Sequence, residues 1–148
     1  MQIRLKPIGV VQNEFREGIP EGWETALHRI VLEPQWTPAL EGIEEFSHIY
    51  VLFWLHGIHG EIQLHVHPEN RADLPEVGIL ATRTPRRPNP IGLQVVELVS
   101  REENVLTVRG LDALNGSPVL DLKPYLPRGD AVAGARTPEW LRKLFEVE

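Results

Sequence analysis

Eight short runs rich in β-branched or bulky apolar residues (3–11, 27–32, 48–55, 62–66, 77–82, 91–99, 105–111 and 119–122) are separated at short intervals by glycine, proline and asparagine. This punctuation, from 13 prolines and 12 glycines, leaves little room for long helices. Strands of this length divided by turn residues specify an all-β barrel or sandwich, not a series of β-α-β units. Two short helices are expected at the periphery. In WTPALEG, Thr37 is placed as N-cap, Pro38 at the first helical position and Gly42 as terminator. In RTPEWLRKLFEVE, Thr137 and Pro138 repeat that opening, and Trp140, Leu141, Leu144 and Phe145 fall on one side, as in a helix docked on the barrel or on another subunit.

With 148 residues, 42% of them hydrophobic, the chain is expected to form a single domain, residues 1–148, around one core. It has no cysteine, which excludes a disulfide framework, a cysteine-ligated metal and a cysteine nucleophile, and fits a reducing cytoplasm. The opening MQIRLKPIGVVQ interrupts any signal-peptide apolar region with Arg4, Lys6 and Pro7. The longest apolar run, Ile49 to Leu55, falls well short of the roughly 18 residues that suggest a membrane span. A soluble cytoplasmic protein without membrane attachment is expected.

The formal net charge of -6 argues against a protein that coats nucleic acid non-specifically. A local basic site is still possible, and residues 83–92, RTPRRPNPIG, supply the candidate. Three prolines hold Thr84, Arg87 and Asn89 near extended conformations, so three arginines are displayed on a stiff loop. The alternative is a solvated connector kept from fraying by its prolines. His56, His59, His65 and His67 also cluster, and His65 and His67 share one strand face as some metal sites require. No third ligand follows at a matching spacing and Pro68 ends the strand, so no metal is assigned. Leu114 to Tyr125, LNGSPVLDLKPY, starts with a turn-forming Asn-Gly pair and then sets Asp121, Lys123 and Tyr125 two residues apart, on one face of a regular strand. No nucleophile elbow, Walker loop or dinucleotide fingerprint is present.

Residues 78–98, GILATRTPRRPNPIGLQVVEL, and 111–127, LDALNGSPVLDLKPYLP, closely resemble the two signature blocks of the tRNA methyltransferase O (TsaA-like) family. LKPIGVVQNEF near the start and LEGIEEFSHIYVLFWLH, residues 40–56, resemble its other blocks in the same order. The resemblance implies a mainly β, closed or nearly closed barrel with short peripheral helices. It implies that the barrel binds S-adenosylmethionine, pairs as a homodimer, and methylates N6 of threonylcarbamoyladenosine beside the anticodon of tRNA. By block alignment it assigns cofactor contacts to Gly22, Trp23, His56, Gly57, Arg83, Leu93, Arg109, Gly110, Leu111 and Asp112. Arg86, Arg87, Asn89, Lys123 and Tyr125 are expected to meet RNA. His56, Asp112 and Asp121 are the available general bases, with no ground for choosing among them.

Two blocks depart from the family pattern. Pro20, Glu21 and Gly22 stand where many relatives have Pro-Arg-Gln, and Asn115, Gly116, Ser117 and Pro118 where they have Asp-Gly-Thr-Pro. Longer relatives continue into a C-terminal domain after the Lys-Pro-Tyr block, and the chain reads as a short form without it. A protein that binds S-adenosylmethionine as a sensor or partner, without transferring the methyl group, is the competing expectation.

Overall fold

The computed structural model describes residues 1–146, and its main body is a closed antiparallel barrel. The strands are β1 (Gly9–Gln12), β2 (Leu27–Leu32), β3 (His48–Trp54), β4 (His65–Val66), β5 (Val77–Gly78), β6 (Ile91–Glu102), β7 (Val105–Arg109) and β8 (Pro118–Pro124). Around the barrel the order is β1-β2-β7-β6-β3-β8, every neighbour antiparallel. The expected β class and barrel are therefore present.

Period-two patterning explains the closure. Along β3, Ile49, Val51 and Phe53 point inward and are buried, while His48, Tyr50, Leu52 and Trp54 alternate outward. Ile30, Ile49, Leu106, Val108, Leu111 and Val119 are all 0% exposed and form the centre of one core. Burying each such side chain contributes about 1.5–3 kcal/mol. A bulge between Leu98 and Ser100 in β6 turns Val99 outward while Leu98 stays buried.

Two compact units divide the chain. The barrel unit comprises Met1–Ile58 and Pro90–Tyr125; His59–Asn89 and the chain from Leu126 onward make the second. In the second unit β4 and β5 form a two-stranded sheet of their own. Its C-terminal helix, Glu139–Glu146, is tied down where Asp73 receives two hydrogen bonds from Arg71, at 3.1 and 2.7 Å, and an ion pair from Lys143 at 3.3 Å. Arg71, with Lys143 assisting, holds the Asp73 carboxyl well below the usual carboxylate range.

Several expected boundaries move. Residues 3–8 do not extend β1: Pro7 has no N–H to donate, and Ile3 and Leu5 are exposed. Residues 62–66 and 77–82 shrink to the two-residue strands β4 and β5, and Ile79–Ala81 forms a 3-10 turn closed by Thr82 N–H donating to the Ile79 carbonyl. The helix expected to start at Thr37 is a 3-10 segment, Pro34–Leu40, with Glu33 at its N-cap. Pro34 supplies the helix-initiating ring first, and the Thr37 hydroxyl donates back to the Pro34 carbonyl at 2.7 Å. The second expected helix does form, one residue after Pro138.

Gly92 of β6 lies directly opposite Phe53 of β3, and a Cβ at this position would sit 2.5 Å from the Phe53 ring. Gly92→Ala should therefore lower stability by about 1–3 kcal/mol through overpacking. Urea unfolding measures it, and Phe53→Leu in the same chain should recover part of the loss; additive effects of the two substitutions would contradict this contact.

Candidate functional site

A cleft of about 290 Å³ opens on the barrel unit, lined by Trp23, Glu24, His48, Gln94, Val95, Glu97, Arg109 and Gly110. Its floor is the outer face where β3, β6 and β7 run side by side: Glu97 pairs with His48 on one flank and with Arg109 on the other. Its wall is the turn Gly22–Ala26. Gly22 and Gly110 both adopt positive φ, 82° and 85°, a region that glycine enters without strain. A side chain at Gly110 would meet the Glu24 carbonyl at 3.1 Å, so glycine also permits this close approach.

Four hydrogen bonds fix wall to floor and shape the turn. Gly110 N–H donates to the Ala26 carbonyl at 3.2 Å, and Arg109 Nη1 donates to the Thr25 carbonyl at 3.2 Å. Arg109 Nε donates to Glu97 Oε2 at 3.1 Å, and Ala26 N–H donates to the Trp23 carbonyl at 3.2 Å. The guanidinium is thus oriented by two partners, Glu97 of β6 and the Thr25 carbonyl of the turn, and stays partly exposed. Such a pocket offers an aromatic face, a cation and carboxylates to one small ligand.

The structure brings together Gly22, Trp23, Arg109 and Gly110 of the residues the resemblance assigns. Leu111 follows directly but is 0% exposed, a core residue that offers no surface to a ligand. Asp112 is exposed on the connection to β8. His56 and Gly57 lie just past β3, where the His56 ring comes near Gly116. Leu93 projects outward from β6, opposite Leu52, and is 48% exposed. Arg83, Arg86, Arg87 and Asn89 belong to the second unit.

Within that loop the arginines differ. Arg87 Nη1 donates to the Thr82 carbonyl at 2.7 Å, and the Thr82 and Thr84 hydroxyls bond each other at 2.8 Å, so Arg87 braces its own loop. Arg83 and Arg86 are exposed, while the Arg86 carbonyl accepts from Gln63 N–H at 3.1 Å. On the barrel, Lys123 Nζ lies 3.0 Å from Asp121 Oδ2, as the shared strand face requires. Tyr125 stands edge-on to Tyr50 at 5.7 Å. Asp121 is therefore engaged by a cation, whereas His56 and Asp112 flank the turn that leads into β8. In the histidine cluster, His67 Nδ1 lies 2.8 Å from the Leu74 carbonyl. Among the described residues no group of three or more His, Asp or Glu is arranged to hold a metal.

Sequence reasoning did not single out Glu24, His48, Gln94, Val95 or Glu97. The alternation of β3 and β6 places His48 and Glu97 outward, but only the cross-strand register shows that they meet.

Comparison with known proteins follows the same outline. The family model described as the tRNA-methyltransferase O N-terminal domain matches residues 12–131, and the chain belongs to that family. A protein of Methanothermobacter thermautotrophicus named as a probable S-adenosyl-L-methionine-binding protein is 44% identical over 132 residues, 84% of this chain and 91% of that one. The tRNA (adenine(37)-N6)-methyltransferase of Escherichia coli is 32% identical over 145 residues, covering 89% of this chain and 61% of the enzyme. The crystal structure of TrmO from Pseudomonas aeruginosa superimposes with a TM-score of 0.76 at 36% identity, over 94% of this chain and 63% of that one. The chain thus spans under two thirds of the enzyme's length and of the solved structure's. No helix among the described residues is long and apolar enough to cross a membrane.

Proposed function

We propose that this chain is an S-adenosylmethionine-dependent methyltransferase of the cytoplasm, acting on N6 of adenosine 37 in tRNA, in its threonylcarbamoylated form. The observation that carries the proposal is the convergence of Trp23, Arg109 and Gly110 on one cleft within the stretch that matches the family. The residues fit the cofactor: the Trp23 ring can cover an apolar face, Arg109 can meet a carboxylate in a charge-assisted hydrogen bond, and the Gly110 backbone leaves room for close approach. The family match runs through both compact units, which supports treating residues 1–148 as one functional domain.

When bound, the sulfonium supplies an already activated methyl group. The chain's task is to hold the accepting nitrogen in line with that methyl and to exclude water. A urea-like N6 is a weak nucleophile, so removing its proton as the new N–C bond forms speeds transfer. His56, Asp112 and Asp121 are the bases to test; a true base should lose turnover on His56→Gln, Asp112→Asn or Asp121→Asn while keeping cofactor affinity. Lys123, Tyr125 and Asn89, with Arg86 and Arg87, form the proposed RNA contacts. Exposed Ile91 and Leu93, beside half-buried Leu52 and Tyr50, support a homodimer paired through this outer face.

A second reading is favoured by the relative from Methanothermobacter, which matches over nearly its whole length and is named only for cofactor binding. In that reading the barrel binds S-adenosylmethionine and transfers nothing.

Mass spectrometry of tRNA nucleosides separates the two. Incubation with protein and S-adenosylmethionine should add one methyl mass to threonylcarbamoyladenosine and leave unmodified adenosine 37 alone; methylation of neither, with cofactor binding intact, would establish the second reading. In calorimetry, Arg83→Ala should weaken S-adenosylmethionine binding by about tenfold to a hundredfold. The double variant Arg86→Ala, Arg87→Ala should keep the cofactor but bind tRNA less tightly and with a flatter salt dependence. An unchanged salt slope in a folded double variant would return both arginines to a structural role. Sedimentation should give a dimer at micromolar concentration, and a monomer there would end the homodimer proposal.

A further inference from the structure

The loop that displays Arg83, Arg86 and Arg87 treats its three guanidinium groups differently. Arg87 donates through Nη1 to the Thr82 carbonyl at 2.7 Å and to that of Thr84 at 3.4 Å, so its own loop holds it. Among the described residues, no ion pair or side-chain hydrogen bond engages Arg83 or Arg86.

Arg86 is nevertheless held at both ends by residues 60–63 of the same unit. Its backbone is the apex of a three-residue turn, since Arg87 N–H donates to the Pro85 carbonyl at 2.7 Å, and its own carbonyl accepts from Gln63 N–H at 3.1 Å. Its guanidinium lies over Gly60, where a Cβ would sit 3.5 Å from Arg86 Cζ and 3.7 Å from each of Nη1 and Nη2. Cζ is the nearest atom and the two nitrogens follow at equal distance, so Gly60 faces the flat side of the group and not its edge. The in-plane N–H donors, which are what a phosphate oxygen meets, stay clear of this seat. Glu61, the one carboxylate of residues 59–63, forms no ion pair with them.

Gly60 has a φ of 107°, where a residue with a side chain is strained. An alanine Cβ would only touch the guanidinium, so Gly60→Ala acts by drawing the backbone out of this conformation and the seat away from Arg86.

We propose that Gly60 is a positioning residue for RNA binding: with Gln63 it holds Arg86 in place, its flat side turned to the seat and its donor edge free for a backbone phosphate. That RNA is the ligand rests on the function proposed above. Arginine is among the side chains with most rotamer freedom to lose, and ordering one on association weakens binding, so a guanidinium ordered beforehand binds phosphate more tightly. Positioning leaves the charge where it is. Its loss therefore lowers affinity without changing the number of counterions released.

Two measurements on the whole chain test this. In ligand-free protein with ¹⁵N-labelled arginine, nuclear magnetic resonance relaxation should show Arg86 Nε–H more ordered than that of Arg83, and Gly60→Ala should bring the two together. Equal mobility in the wild type overturns the proposal without any variant. In tRNA binding over a range of salt concentrations, Arg86→Ala should lower the salt slope by about one. Gly60→Ala should weaken binding by about threefold to tenfold at every concentration with the slope unchanged. Once Arg86 is alanine, Gly60→Ala should cost less than about twofold more. Gln63→Pro, which removes the other anchor, should reproduce the Gly60→Ala pattern and replaces that variant if it does not fold. Additive losses in a folded double variant, or full tRNA affinity in folded Gly60→Ala protein, overturn the proposal alone and make Gly60 an ordinary turn glycine. A wild type that binds no tRNA overturns it together with the function proposed above.

Discussion

Closure of the six-strand ladder is the constraint on which the rest of the barrel unit depends. A four-residue strand such as β1 has too few ladder bonds to stand alone, but between β2 and β8 it has a partner on each edge. No edge is then left to recruit another chain, and every strand is held by two neighbours. The cleft inherits this rigidity: Glu97 and Arg109 are directly paired ladder residues, so their separation is set by backbone register. A site resting on strands is positioned more accurately than one made of loops alone.

Much of the barrel could be read in the sequence because its strands obey simple alternation. Residues 27–32 and 48–54 match their expected runs almost residue for residue, since each carries one clean apolar face. The expectation failed where apolar content had another cause. Leu64 and Leu80 are exposed residues of the second unit beside two-residue strands, so bulk alone misled there. The Pro34 start was hidden by the equally good opening at Thr37 and Pro38, because both offer a proline ready for a first turn.

The candidate site was legible in part and for a different reason. Gly22, Trp23, Arg109 and Gly110 were named through family resemblance, and their meeting depends on glycines whose positive φ no composition argument reveals. His48 and Glu97 needed the pairing of β3 with β6.

The excursion from His59 to Asn89, between β3 and β6, also bears on how the chain reaches this state. Strands β3 and β6 form the longest ladder pairing in register, yet they can meet only after that whole segment has been looped out. The β6–β7 hairpin, turning tightly at Glu103 with φ of 55°, needs no such closure. Loop-closure entropy therefore orders assembly, with the hairpin as the local element, the β3–β6 pairing after it, and the β2–β7, β3–β8 and β1–β8 seams as the latest, most distant contacts. High contact order of this kind slows folding, and it leaves the apolar faces of the strands at those last seams exposed longest while the nascent barrel waits to close.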